Sequence, residues 1–296
     1  MDLQTVGFVG LGNMGGRMAA RLLASSRRVV GFDTSGVSPH ADGVEFVASP
    51  AEVAGQVDLV LLSLPDSGAV EKVVLGAAGL LSAAREGQVV VDLSTAAPNS
   101  TVRLSAALAE QGVTLIDAGV SGGASAAQQG TLSIMAGGPA ETLATIAPVL
   151  DVLSSRIFHM GTTGSGHTAK VLNNFLNGIS LAATAEVMVA ARKAGLDLEV
   201  FLDVVNSSSG VNFASLNRFP KIIHGDYLEG GLSSRLMMKD LLLYVDHVRE
   251  LGVLSLNAAG CVASFGLANQ LGYADQISNR VVDALGDLSG GIRLQD

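Results

Sequence analysis

Two short segments of this sequence hold residue types whose spacing could do chemistry. The first is Val6-Gly7-Phe8-Val9-Gly10-Leu11-Gly12-Asn13-Met14-Gly15, where Gly10, Gly12 and Gly15 have GxGxxG spacing directly after an apolar run. Gly10 permits a tight turn, Gly12 lets the backbone come close to a pyrophosphate, and Gly15 lets the following helix pack on the strand. An anion there meets N–H groups at the positive end of a helix dipole, so Leu11, Asn13 and Met14 are expected to line the same site. The second segment carries Lys170 and Asn174, four residues apart in the sparsely charged run Ser165–Ala194. That spacing puts both on one helical face, and Asn177 continues the stripe. An ammonium within an apolar helix is costly to bury unless it has partners or loses its proton. A proton-transfer role for Lys170 therefore fits better than a surface lysine.

Three further positions belong at strand ends. Asp33 closes the run Arg28–Asp33, where a carboxylate could accept hydrogen bonds from adenosine ribose hydroxyls and would repel a 2′-phosphate. No arginine follows within Thr34–Ser38, so NAD is expected in preference to NADP; a solvated turn aspartate is the plainer alternative. Leu64-Pro65-Asp66 and Asp92–Pro98, with Thr95 at the centre of the latter, read either as turns with helix caps or as walls of a cofactor groove. His167 reads as a first-turn helix residue rather than a catalyst. No group of His, Cys, Asp and Glu has metal-ligand spacing, and no GxSxG-type nucleophile motif occurs.

The elements that must position these residues follow from periodicity. Short apolar runs at Thr5–Gly10, Arg28–Asp33, Leu59–Leu64, Val89–Leu93, Thr114–Asp117 and Leu132–Ala136 predict strands. Amphipathic stretches between them, including Gly15–Leu23, Ala69–Val74 and Ser100–Gln111, predict helices and hence βαβ units in a parallel, doubly wound sheet. After about residue 160 strand patterns stop, and a helix from Ser165 to about Ala194 is expected to be buried between domains. The fold class expected is α/β: a Rossmann domain over residues 1–162, then an all-α domain over 163–296.

Length and composition bound the rest. The 296 residues suffice for two domains, and 48% hydrophobic against 15% charged residues suits a well-buried protein. A net charge of −9 argues against nucleic acid as partner but not against a small anionic substrate. A single cysteine, Cys261, cannot form an internal disulfide, and Asp2 leads directly into a strand-like run with no apolar leader. A cytoplasmic protein without a signal peptide is expected. The uncharged stretch Leu251–Ala274 includes Asn257, Asn269, Gln270 and four glycines. It is therefore expected to be a core or interface helix rather than a membrane span. An apolar stretch of that length also predicts a homodimer or homotetramer.

The opening segment, Asp92–Pro98, Asp117-Ala118-Gly119-Val120-Ser121-Gly122-Gly123 and Gly161–Asn174 occur in the order seen in the β-hydroxyacid dehydrogenases. Lys239-Asp240-Leu241 is similar to the C-terminal signature of that family, which includes 3-hydroxyisobutyrate dehydrogenase and tartronate semialdehyde reductase. The resemblance covers essentially the whole chain. It implies hydride transfer between a nicotinamide cofactor and a small 3-hydroxy or 2-hydroxy carboxylic acid, or its semialdehyde or keto form. It implies that Ser121, Gly122 and Gly123 bind the substrate carboxylate, although Gly119 stands where the family usually has proline. It implies that Asn174 hydrogen-bonds the substrate, and that Lys239, with Asp240 positioning the chain, approaches cofactor and substrate. A free lysine titrates at about 10.4, so the site is expected to lower that value for Lys170 by burial and nearby positive charge. A non-catalytic NAD-binding scaffold, or an imine reductase of the same fold, would lack this lysine; its presence argues against both.

Overall fold

The computed structural model describes residues 1–295, which divide into two compact units, one from Met1 to Lys170 and one from Val171 onward. In the first unit, eight strands form one sheet: β1 (Thr5–Val9), β2 (Arg28–Phe32), β3 (Glu45–Phe46), β4 (Leu59–Leu62), β5 (Val89–Asp92), β6 (Thr114–Ser121), β7 (Leu132–Gly137) and β8 (Ser154–Gly161). Their spatial order is β3-β2-β1-β4-β5-β6-β7-β8. The chain order reverses between β1 and β4, the switch point beyond whose strand ends open α/β sheets bind ligands.

Helices cover both faces: α1 (Asn13–Ala24), α2 (Pro50–Ala54), α3 (Ser67–Leu75), α4 (Pro98–Ala109), α5 (Gly123–Gln129) and α6 (Ala140–Leu150). Burial on both faces explains why the central strands read as unbroken apolar runs. In β4, Leu59 and Leu61 join the core with Phe8, Met18 and Ile116, whereas Val60 and Leu62 point to the opposite core with Val9, Val90 and Leu104. That is the two-residue strand period made visible.

The sheet departs from the expected parallel pattern at one place. β7 runs antiparallel to β6, pairing Asp117 with Gly137 through to Ser121 with Ser133. Only Gly122–Thr131 links the two strands, too little chain for the crossover of a dozen or more residues that a parallel pair needs. This pairing also carries β6 on to Ser121, beyond the expected end at Asp117. The edge strand β8 had no apolar alternation to announce it, because most of its side chains face outward.

The second unit is helical, as expected. The helix α7 (Ser165–Lys193) continues into it, followed by α8 (Leu198–Asn206), α9 (Phe213–Asn217), α10 (Phe219–Ile222), α11 (Ser234–Glu250), α12 (Ala258–Ala268) and α13 (Val281–Leu288). Its core gathers Leu181, Met188, Leu202, Phe219, Met237, Leu241, Phe265 and Val281. At Gly178 an added Cβ would come within 2.9 Å of a Leu241 methyl, so this glycine lets α7 and α11 approach closely. The rings of Phe175 and Tyr244 stack 3.7 Å apart beside that contact.

The compact units divide after Lys170, within α7. The reason is that the first turns of α7 are bonded into the sheet of the first unit, as the site geometry below shows. Leu251–Ala274 is not one buried helix: Gly252, at φ +72°, ends α11, and Leu254 and Leu256 stand 81% and 80% exposed before α12 begins.

Candidate active site

The loop from β1 to α1 is shaped for an anion. Gly10 has φ +89°, and a Cβ there would strike the Ser63 carbonyl oxygen at 2.3 Å. At Gly15 a Cβ would lie 1.8 Å from the Gly10 carbonyl oxygen, so the turn closes only on glycine. Gly12 differs, since a Cβ there would meet nothing within 4 Å. The space beside its backbone is open, which packing does not require but a closely approaching phosphate does. Gly12 caps α1, no side chain bonds to that helix start, and its first turn contains no acidic residue. A pyrophosphate fits this cradle by geometry and by charge.

Asp33, one residue past β2, is half-buried and tied to the same loop. Its Oδ2 accepts the Leu11 N–H at 2.8 Å, while Oδ1 accepts the Ser35 N–H at 2.8 Å and the Ser35 hydroxyl at 2.7 Å. Burial pushes its carboxyl upward, but the bonds from Ser35 and Leu11 together outweigh that and hold it below the ordinary aspartate value. An ionised carboxylate has about four lone-pair directions, so capacity remains for a ribose hydroxyl. The neighbouring strand ends are bonded to each other. The Leu64 N–H donates to the Ser94 hydroxyl at 2.9 Å, and the Ala97 N–H to the Ser67 hydroxyl at 2.8 Å. Leu64-Pro65 and Thr95 thus belong to two loops that are mutually fixed, while Asp66 caps α3 through the Ala69 N–H.

The end of β6 holds the other predicted loop. Ser121 closes the strand, and Gly122 (φ +131°) and Gly123 (φ +71°) turn the chain into the short α5. Positive φ at both explains the paired glycines. Two positions upstream of Ser121, a Cβ added to Gly119 would stand 2.5 Å from the Cβ of Lys170. The lysine stem therefore lies directly on the Gly119 backbone, in space that any larger residue would fill. Lys170 itself is 8% exposed.

Two buried side chains fix the helix that carries it. Asp117 accepts the Gly164 N–H on Oδ1 at 2.7 Å and the His167 N–H on Oδ2 at 2.8 Å, which places a carboxylate at the positive end of α7. The His167 ring is fully buried, with Nε2 3.1 Å from the Asp92 carbonyl oxygen and Nδ1 2.7 Å from the Thr101 hydroxyl. A carbonyl can only accept, so Nε2 donates to it, and the ring bridges Asp92 and Thr101. Backbone closeness adds to this: a Cβ on Gly166 would lie 2.4 Å from the Met135 carbonyl oxygen. Lys170 follows His167 by three residues, on a turn with no freedom to shift.

Within the second unit, Asn174 is 4% exposed and its Nδ2 donates to Asp240 Oδ2 at 2.6 Å. Asp240 Oδ1 in turn lies 3.0 Å from Lys239 Nζ. Asp240 thus orients the Asn174 amide, leaving its oxygen to act as acceptor elsewhere, and holds the Lys239 ammonium beside it. Further along α7, Asn177 Oδ1 accepts from Arg218 Nη2 at 2.8 Å, and Arg218 Nη1 donates to Asn279 Oδ1 at 3.1 Å.

Residues 5–161 match the family described as the NAD binding domain of 6-phosphogluconate dehydrogenase. Residues 164–285 match the one described as the NAD-binding of NADP-dependent 3-hydroxyisobutyrate dehydrogenase. The chain is 40% identical to a 3-hydroxyisobutyrate dehydrogenase of Pseudomonas aeruginosa, over 80% of this chain and 82% of that protein. It is 38% identical to a 2-(hydroxymethyl)glutarate dehydrogenase of Eubacterium barkeri, over 83% and 82%. A solved structure of Mycobacterium tuberculosis 3-hydroxyisobutyrate dehydrogenase with L-serine superposes with a TM-score of 0.84 at 31% identity, covering 95% of this chain and 98% of that one. The chain belongs to the β-hydroxyacid dehydrogenase family. It is therefore a nicotinamide-dependent oxidoreductase of small hydroxy acids.

Within this member of the family, each unit brings together part of the predicted set. Gly10, Leu11, Gly12, Asn13, Met14, Gly15 and Asp33 form one cradle, and Lys170 meets the β6 strand that ends at Ser121. Asn174 and Lys239 meet through Asp240. Sequence reasoning passed over the anchoring work of Asp117, the bridging ring of His167 and the whole of Arg218. A lone acid in the apolar run Leu115-Ile116-Asp117-Ala118 was a usable signal, because a buried carboxylate requires donors. Arg218, between Asn217 and Phe219, carried no such sign.

Proposed function

We propose that this β-hydroxyacid dehydrogenase works with NAD in preference to NADP, with Lys170 as the group that moves the substrate's hydroxyl proton. The bound nicotinamide supplies the two-electron hydride acceptor or donor. The Gly10–Gly15 backbone holds the cofactor's pyrophosphate, Asp33 accepts from its ribose and disfavours a 2′-phosphate, and Leu64, Pro65, Thr95 and Lys239 complete its binding. The Ser121 hydroxyl and the N–H groups of Gly122 and Gly123 bind the substrate carboxylate. Asn174, with its amide turned by Asp240, holds the reacting oxygen in line. Lys170 takes the hydroxyl proton when the carbinol carbon is oxidised and returns it in the reverse direction.

One observation carries this reading: a lysine buried to 8% exposure, its stem seated on Gly119 and its helix locked by Asp117 and His167. A lysine kept for solubility needs none of that support. The test is the appearance of reduced cofactor with 3-hydroxyisobutyrate, 2-(hydroxymethyl)glutarate and L-serine, each with NAD and with NADP. Turnover with NAD that disappears in Lys170→Met supports the reading; turnover of imines with no hydroxy acid accepted overturns it.

The acidic composition disfavours nucleic acid as partner and leaves room for a small anionic substrate, and the single cysteine favours a cytoplasmic setting with no membrane as partner. Cys261 is buried, and its thiol is pushed up to about 12 by that burial, so it takes no part in the chemistry. The exposed side chains of Leu251, Val253, Leu254 and Leu256 favour a homodimer or homotetramer that covers them. Light scattering that gave a monomer mass of 30.1 kDa at micromolar concentration would remove that assignment.

A further inference from the structure

One arginine of the second unit has partners that do not match its charge. Arg235, Arg249, Arg280 and Arg293 each face a carboxylate: Asp275, Asp246, Asp283 and Asp287 respectively. Arg218 faces none among the described residues. Its two hydrogen bonds go to the neutral oxygens of Asn177 and Asn279, and the Phe213 ring lies 5.7 Å from its guanidinium carbon. A guanidinium has five N–H donors, so these two bonds leave three unused. Burial with no opposing charge pushes this group down to about 10, against an ordinary value of 12.5.

The two amides also aim it. Asn279 is itself held, its Nδ2 donating to the Tyr227 carbonyl oxygen at 2.8 Å. Asn177 belongs to the stripe of α7 that already carries Lys170 and Asn174. At about 1.5 Å of rise per residue, Asn177 stands roughly 4.5 Å, about one turn, along the helix from Asn174. That interval is on the order of the length of a short diacid. A planar fork of donors, pre-oriented by neutral acceptors and kept from any carboxylate of its own, is suited to receive one from a ligand.

We infer that Arg218 binds a second acidic group of the substrate, at the end remote from the carbon that is oxidised. The preferred substrate is then a hydroxy acid with two anionic ends. The remote one, a carboxylate or a tetrahedral oxyanion such as a phosphonate, is held by Arg218. The inference rests on the reading of Lys170 and Asn174 given above.

The experiment compares 3-hydroxyisobutyrate, with one carboxylate, and 2-(hydroxymethyl)glutarate, with two, in the wild type, Arg218→Gln and Arg218→Lys. A third substrate replaces the distal carboxylate of the diacid by phosphonate. The wild type should favour the diacid in kcat/KM by tenfold or more. Arg218→Gln should lose roughly 10- to 100-fold more on the diacid than on the monoacid, chiefly through KM. Arg218→Lys should recover part of that loss, and the phosphonate arm shows which oxyanion the fork prefers. Binding is read separately: glutarate should raise the melting temperature more than butyrate does, and Arg218→Gln should abolish the difference. If the wild type oxidises no hydroxy acid yet glutarate protection depends on Arg218, the proposed function fails and the anion site stands. No preference for the diacid, or equal losses on both acids with a lowered melting temperature, would make Arg218 a strut between α7 and Asn279 and overturn the inference.

Discussion

The two units offer different kinds of group to a small molecule. In the first, the groups offered are mostly backbone: the Gly10–Gly15 turn, the Gly122–Gly123 turn, and a lysine stem resting on the bare chain at Gly119. In the second, they are side chains paired across long sequence distances, Asn174 with Asp240 and Asn177 with Arg218. A backbone site is specified where a Cβ is forbidden, so it tolerates almost no substitution but needs few residues. A side-chain site is specified by charge and hydrogen-bonding capacity, so it can be retuned residue by residue.

The hardest break to that contrast is at Lys170, the ionisable side chain that the first unit sets on its bare backbone at Gly119. Lys170→Met keeps the stem on Gly119 and removes only the amine, so the protein should fold and still bind NAD. Turnover should fall by roughly 10² to 10⁴, the usual contribution of a positioned acid–base group. Lys170→Arg should not recover it, because guanidinium does not give up its proton in the working range. Steady-state kinetics with a hydroxy acid and NAD decide this, and near-normal turnover in Lys170→Met would falsify the proton-transfer role.

Gly119 sharpens the comparison by testing whether backbone space alone can matter. In Gly119→Ala the new methyl would compete with the Lys170 stem for one volume, since the Cβ atoms would stand 2.5 Å apart. With α7 pinned by Asp117 and His167, the lysine head has to move instead. A displacement of about 1 Å can cost on the order of 10²-fold in rate, so kcat should drop by that order with NAD affinity retained. Equal kcat in the variant would mean that the helix gives way. Ser121→Ala should act differently, raising KM for the acid more than it lowers kcat. A lost hydrogen bond to a charged group is worth about 1.5–3 kcal/mol, or roughly ten- to a hundredfold. An unchanged KM would move the carboxylate anchor away from this loop.

The same contrast explains what the sequence made legible. The strand alternation and the glycine spacing are local signals, written within a few residues, and they located the sheet and the phosphate turn; the loop at Ser121–Gly123 was legible only through the family resemblance. Lys170 with Asn174 was legible because a charge in an apolar helix is anomalous wherever it packs. What stayed hidden depended on partners far along the chain. Asp117 caps a helix that starts 48 residues later, at Ser165, and Arg218 has its meaning only beside Asn177 and Asn279. β8 was hidden for a separate reason: as an edge strand with outward side chains it lacks the burial that creates a pattern. The turn at Leu254–Leu256 misled in the opposite direction, since an uncharged apolar run reads as one continuous helix.

The smallest effect expected comes from Asp33, where the two kinds of site overlap: a side chain that serves the backbone turn. Its bonds to the Leu11 N–H and to Ser35 mean that Asp33→Asn changes the loop as well as the ribose contact. NAD affinity should weaken by about tenfold at most, and the preference over NADP should narrow because the charge facing a 2′-phosphate is gone. A wild type that already favours NADP in kcat/KM would remove Asp33 from this role. The pH dependence has a definite sign. The folded-state value for Asp33 lies below the ordinary 3.8, so its bonds stabilise the loop fully above that value and are lost as pH falls through the lower one. Asp33 is half-exposed and solvent screens it, so the stabilisation is modest, and the melting-temperature gap between wild type and Asp33→Asn should be about 2 °C or less. That gap should be constant from pH 7 to about pH 5 and should close as the pH is taken below 3.8. A gap that instead widened in acid would mean that the carboxyl is held protonated in the folded protein, and a protonated Asp33 could not repel a 2′-phosphate.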